Sequence, residues 1–434
     1  MNKDSQKGRR ANIKTFFRIV LKKRILPRAV GFFIPFLFFL SLPSITHSAE
    51  PIRIGLLLPP RETNTHLGKP YLKGAEMAVA EVNAREGKQG IQLILALREG
   101  SYKEGKTLNE LREFLWEERI HSLGGIVPRE AILPVSLLAQ EQRVPFLVFP
   151  LDFMGAASTG AEPPNLFWIS PAPEAFQRAA VRTVAQFRKK RFFLLARDTS
   201  AGRNLVKYFW EELKRLKPDA QRIGELFLPE KVEDYGMYTR AVTSSGAEVC
   251  LSHLGPKEWI SLARTAKKQG YFKKITHFEM ESGNLESLVA LGKEAPEGVW
   301  GISAFPFWAL GWNETKEFVA KYKEKTNSYP GLDALSGYVS IYALVEGMKK
   351  AGSLGTERFL GTLEGLSFRT PIGILAIRKA DHRVLWPIWC GVSKFTGVYP
   401  FAILEDLQAF GPDSFLPTSP QGEKPGSKPS PAAQ

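Results

Sequence analysis

The chain has 434 residues, 44% of them hydrophobic and 24% charged, which is ordinary globular composition and length enough for two cores. Its formal charge of +15 would suggest nucleic acid or an acidic membrane as partner, but the charge is unevenly placed. Residues 1–48 hold ten of the 59 Lys and Arg and one of the 44 Asp and Glu, which leaves the rest at only +6 and removes the case for a nucleic-acid partner.

That basic segment leads into the apolar run AVGFFIPFLFFLSL (29–42) and then Thr46, Ser48 and Ala49, small residues spaced for a signal peptidase. Residues 1–48 therefore read as a secretory signal, cut after Ser48 or Ala49, and the mature protein as soluble in the periplasm or outside the cell. The run is 14 residues long and contains Pro35, short of the roughly 20 that span a bilayer. The long basic region leaves an uncleaved anchor open. No Cys follows the run, so a lipid-bearing terminus is not indicated.

Apolar and helical runs then alternate at the spacing of βα units. Strands are predicted at 52–57, 91–97, 123–127 and 146–149, with helices at 71–84, 104–118 and 130–142. Short, nearly continuous apolar strands between helices argue for a parallel sheet covered on both faces. A joint follows at 165–173 (NLFWISPAP), where prolines interrupt helix and sheet alike. The pattern restarts with strands at 192–196, 222–228, 248–252 and 274–278 and helices at 174–189, 201–216, 234–244, 257–268 and 285–292. Beyond Gly298 come a strand (GVWGISAF), helices at 314–326, 334–351 and 358–363, and strands at 374–377 and 384–392. These cannot form a third core, so they complete the first two lobes and the chain crosses between lobes more than once. The expected lobes are 51–168 with 299–373, and 169–298 with 374–405. The tail 412–434 is rich in Pro, Ser, Gly and Lys and is expected to be disordered.

Cys250 and Cys390 fall in strand-like segments, either as two buried thiols or as an export-permitted disulfide. The six His are scattered, no HExxH or CxxC occurs, and neither a metal nor a cofactor is expected. In an open parallel sheet, ligands bind outside the carboxyl ends of the strands. The polar loop 63–66 after the first strand, with Asn64 and Thr65, is therefore expected to form one wall of a site between the lobes.

The ordered set IRIGLLLP, KGAEMAVAEVN, GGIVP, QEQRVPFL, NSYPGLDALSGYVSIYALVEGMKKAG and FRTPIG with a downstream Asp381-His382 resembles the type I periplasmic solute-binding proteins, in the Leu/Ile/Val branch served by ABC importers. The match runs over 52–398. It implies an α/β fold of two Rossmann-like lobes with parallel doubly wound sheets, a three-crossing hinge that closes on ligand, no covalent chemistry, and a permease as membrane partner of a monomer.

Members that bind amino acids hold the substrate carboxylate on hydroxyl-rich loops after the third and fourth strands. Here those loops read Pro128-Arg129-Glu130 and Pro150-Leu151-Asp152. Arg129 either takes a carboxylate, pairs with Glu130 or faces solvent. In the second lobe, DTSAGRN supplies Asp198 and Ser200, with Ala201 where the family often carries a ring. His253 ends a strand, as a contact or as a structural histidine. Glu279 and Glu281 are alternative acids for an ammonium group. The aromatic run AFPFWALGW (304–312) is expected to be core or interlobe packing, with a ring-stacking wall as the alternative.

No GxSxG elbow, P-loop or GxGxxG fingerprint occurs, so an enzyme is not expected. The reading is an exported protein that captures a small organic solute, an amino acid or derivative, for an ABC importer. A ligand sensor or envelope partner-binding protein on the same fold is the nearer alternative. A hydrolase using acids such as Asp152 and Glu281 is the distant one.

Overall fold

The first strand, β1 (Ile52–Leu58), is apolar at nearly every position because both of its faces are covered. Ile54, Leu56 and Leu58 meet Ala75, Ala78 and Val82 of helix α1 (Thr65–Glu86). Leu57 points the other way, toward Phe114 and Leu115 of α2 (Lys106–Glu117) and Ile132 of α3 (Arg129–Glu141). The computed structural model describes residues 50–60, 65–87, 91–102, 105–151, 163–352 and 356–412. The expected signal segment, most of the tail, Asn64 and Asp152 lie outside the described residues.

Beside β1 stand β2 (Leu93–Glu99), β3 (Ser122–Val127), β4 (Phe146–Pro150) and β5 (Leu166–Trp168), all parallel in the order β2-β1-β3-β4-β5. A second sheet repeats the plan. Strands β6 (Arg191–Arg197), β7 (Gln221–Leu228), β8 (Val249–His253), β9 (Thr276–Glu279) and β10 (Trp300–Ser303) run parallel in the order β7-β6-β8-β9-β10, and antiparallel β13 (Ile388–Lys394) and β14 (Ile403–Phe410) extend it beyond β10. One face packs on α4 (Pro173–Ala185) and α5 (Ser200–Leu216), the other on α6 (Tyr235–Ser244) and α7 (Pro256–Lys268). Helix α8 (Leu285–Leu291) follows β9.

The chain then returns to the first lobe with α9 (Asn313–Thr326), α10 (Leu332–Ala351), α11 (Thr356–Leu363) and the hairpin of β11 (Ser367–Thr370) and β12 (Gly373–Ala376). Helix α10 lies along α1 and runs the same way, with Gly337 on the backbone of Tyr71 and Lys349 on Glu86. The three crossings are 169–172, 304–312 and 377–387. Phe305, Phe307 and Trp308 are packing, not a wall, while Trp312 is exposed. Phe307 stacks on Tyr329 and touches Trp308 and Tyr399, Phe305 touches Phe318, and the Trp308 indole donates to the Leu404 carbonyl.

Strand pairing differs from the expected boundaries. Residues 300–303 join β9 and β13 in the second sheet, although 299 onward was expected in the first lobe, because an apolar strand needs a ladder partner and β9 supplies it. Residues 374–376 pair with β11, which packs on α10, and not with the second sheet. The joint at 165–173 carries β5 and the start of α4; Pro173 is the first residue of α4, where a missing N–H costs nothing. Helix α1 starts at Thr65 and runs through Pro70, so 65–66 are helix and not loop. Cys250 and Cys390 are free, buried thiols in β8 and β13.

The carboxyl edges of the two sheets lie close to each other. Residues 169–172 join the carboxyl end of β5 to the start of α4, and four residues span at most about 14 Å. Because α4 runs into the amino end of β6, its own start lies at that sheet's carboxyl edge. Across the gap, α8 begins just past β9, and a Cβ on Gly331, the residue before α10, would lie 3.8 Å from Leu285.

Candidate functional site

Both sheets share the strand order in which the chain reverses its winding between the first and third strands, and that reversal opens a crevice at the strand tips. In the first lobe the tips are those of β1 and β3; in the second, those of β6 and β8.

On the first side, β3 is followed at once by Pro128, the N-cap of α3, so Arg129 and Glu130 open that helix and are exposed. The Leu151 N–H donates to the Val127 carbonyl at 2.9 Å, which ties the β4 tip to the β3 tip and leaves Leu151 half-buried. Thr65 is the first residue of α1.

On the second side, the candidates behave differently from one another. Asp198 follows β6 but is exposed and engaged by the Arg203 guanidinium at 2.6 and 3.0 Å. Ser200 is the exposed first residue of α5, after Thr199, whose hydroxyl accepts the Gly202 N–H and caps the helix. His253 and Glu281 do come together, with Nε2 and Oε1 3.7 Å apart, and the Asn284 amide donates to Glu281 at 3.0 Å while its own oxygen caps α8. Both side chains are only partly exposed at the tips of β8 and β9.

Glu279 is not a wall residue, which corrects its expected ligand contact: it is fully buried. Its Oε1 accepts the backbone N–H groups of Leu254 (3.0 Å) and Glu281 (3.1 Å), and its Oε2 accepts the Ser252 hydroxyl at 2.5 Å. Ser252 in turn lies 2.7 Å from His277 Nε2, and His277 Nδ1 lies 3.0 Å from the Tyr271 hydroxyl. Trp259 stacks on the imidazole. Burial pushes the Glu279 carboxyl up to about 7, against the Ser252 bond, the nearby His253 and the two N–H groups. Burial pushes His277 down to about 3, so the ring is neutral.

The sequence reading missed Ser252, His277 and Tyr271. A signal was there: Cys250 pairs with His277 and Ser252 with Glu279 across β8 and β9, so the period of two puts all four on one face. Ser252 beside His277 looks like a nucleophile and its base, yet both are buried, and the carboxylate meets the serine instead of orienting the histidine. Among the described residues, no group of three or more His, Cys, Asp or Glu is placed to hold a metal ion.

A family profile described as "Periplasmic binding protein" matches residues 51–394. The Leu/Ile/Val-binding protein homolog 7 of Brucella suis is 22% identical over 329 residues, 72% of this chain and 81% of that protein. Among solved structures, an amino acid ABC transporter substrate-binding protein from Pseudomonas fluorescens Pf-5 superposes with a TM-score of 0.71 at 16% identity, covering 86% of this chain and 99% of that one. A solute-binding protein of an ABC transporter from R. palustris, in complex with 4-hydroxybenzoate, superposes with a TM-score of 0.67 at 15% identity, covering 83% and 97%.

Proposed function

The chain belongs to the periplasmic binding protein family, and from that premise we propose that it captures an amino acid or amino-acid derivative between its lobes for an ABC importer. It acts as an exported monomer and leaves the solute chemically unchanged. The observation that carries the reading is the placing of Arg129 at the carboxyl edge of one sheet and Glu281 at that of the other. On the first lobe, Arg129 opens α3, where a guanidinium and the positive end of the helix favour a carboxylate. On the second, Glu281 beside His253 offers a partly buried carboxylate to an ammonium. A zwitterion lying across the crevice is attracted at both ends, and its closure excludes water from both contacts.

The test is a thermal-shift screen of mature protein, unfolded and refolded to strip any bound solute, against L-amino acids, their derivatives and hydroxybenzoates. A true solute at about 100 times its Kd raises stability by about 2.7 kcal/mol. A panel in which only acids without an amine moved the midpoint would contradict the amino-acid reading. One in which nothing moved it would contradict solute capture.

A further inference from the structure

The chain Tyr271, His277, Ser252 and Glu279 has two complete hydrogen-bonding arrangements that differ by one proton. In the first, Glu279 is ionised: the Tyr271 hydroxyl donates to His277 Nδ1, Nε2–H donates to Ser252, and Ser252 donates to Glu279 Oε2. In the second, every donor is reversed. Glu279 Oε2–H donates to Ser252, Ser252 donates to Nε2, Nδ1–H donates to the Tyr271 oxygen, and the Tyr271 hydroxyl turns to the Cys250 sulfur it already contacts. The imidazole carries a single proton in both, which its neutral state allows. When each hydrogen advances by one bond, the Ser252 hydrogen passes to Glu279, that of Nε2 to Ser252 and that of Tyr271 to Nδ1, and the entering proton replaces the last on the Tyr271 oxygen.

The two arrangements grip the site differently. Oε1 of Glu279 holds the N–H of Leu254, in the loop after β8, and the N–H of Glu281, in the loop after β9. Those loops follow His253 and carry Glu281. A carboxylate holds a backbone N–H roughly twice as strongly as a neutral acid does. We propose that Glu279 is a positioning residue whose protonation loosens both loops of the second lobe's rim, so that this wall is firm when Glu279 is ionised and slack when it is protonated. The groups that face Glu279 are Ser252, Cys250 and His253 from β8, His277 from β9, Tyr271 beyond it, and Glu281 from the following loop.

That the slack wall changes solute capture rests on the proposed function; the proton chain itself does not, and its test uses no solute. The readout is backbone hydrogen exchange of Leu254 and Glu281 in stripped mature protein at pH 5.5 and 8.5, corrected for intrinsic exchange. Wild type is expected to protect both amides about tenfold more at the higher pH. E279Q, which keeps the shape of the neutral acid, is expected to show the weak protection at both, and H253Q, which removes a neighbour that lowers the Glu279 carboxyl, to keep the pH effect with its midpoint moved to higher pH. Equal protection at both pH values in wild type overturns the proposal, as does a pH effect that survives in E279Q or vanishes in H253Q. If E279Q fails to fold, S252A removes a donor to the carboxylate and should move the wild-type transition to higher pH; an unmoved midpoint overturns the proposal.

Discussion

Replacing Gly74 by alanine is expected to destabilise the first lobe by about 3 kcal/mol, among the larger effects a single methyl group can have. Helices α1 and α10 touch backbone to backbone. A Cβ on Gly74 would sit 1.8 Å from the Ala334 carbonyl oxygen, and one on Gly337 would sit 2.0 Å from that of Tyr71. Neither obstacle is a side chain that can turn aside. Helix α10 cannot retreat either, because Gly347 on another part of its surface packs against Leu363 and Phe359 of α11. Separation would also stretch the buried 2.8 Å hydrogen bond between Tyr71 and Ser340. The control is Gly361 in α11, around which nothing lies within 4 Å of a built Cβ. There the same change restores helix propensity and should stabilise by up to about 1 kcal/mol. Urea unfolding midpoints of the two variants should move in opposite directions; a loss under about 1 kcal/mol at Gly74 would contradict the close packing.

The second large effect is expected at the second crossing. Phe307 is buried among Phe305, Trp308, Tyr329 and Tyr399, and Tyr399 and Tyr329 pass the contact on to Phe401 just before β14. The crossings are also bound to each other, since the Trp386 indole donates to the Ala304 carbonyl at 2.9 Å. Phe307→Ala removes the ring at the centre and should cost about 3–5 kcal/mol. Hydrogen exchange should rise along 304–312 and 386–404 in the same variant. A cost below about 1.5 kcal/mol, with exchange unchanged, would mean that the rings do not bind the crossings together.

The repeated order of strands and helices was legible because parallel strands buried on both faces must be nearly all apolar, as in Ile52–Leu58 and Phe146–Pro150. The elements that escaped are those whose partners are distant or whose faces are mixed. Strand β14 carries Glu405, Asp406 and Gln408 because it is the sheet's edge, and its pairing is with β13 alone. Strands β5 and β11 are three and four residues long, too short for a period to show. The edge of β5 is completed by the third crossing: the Trp168 N–H donates to the His382 carbonyl, the Val384 N–H donates to the Trp168 carbonyl, and Arg383 lies over the Trp168 ring.

At the site, His253 and Glu281 were legible as polar residues at strand tips. Their pairing was not, because it depends on the register of β8 on β9. Glu279 and Glu281 look interchangeable in the sequence, two residues apart at the end of one strand. The structure separates them because β9 ends at Glu279: its side chain still lies under the β8 tip and is sealed beneath Leu254, while Glu281 lies beyond the ladder.

The central claim is that the two carboxyl edges share one crevice and that a solute lodges there. It is tested most directly by the crystal structure of protein purified without unfolding or after soaking with a solute found by thermal shift. The account predicts solute density bounded on one side by the 128–130 and 150–151 turns and on the other by His253 and Glu281, with Glu279 still buried beneath. Density held by one lobe alone, or lying away from both strand tips, would contradict it.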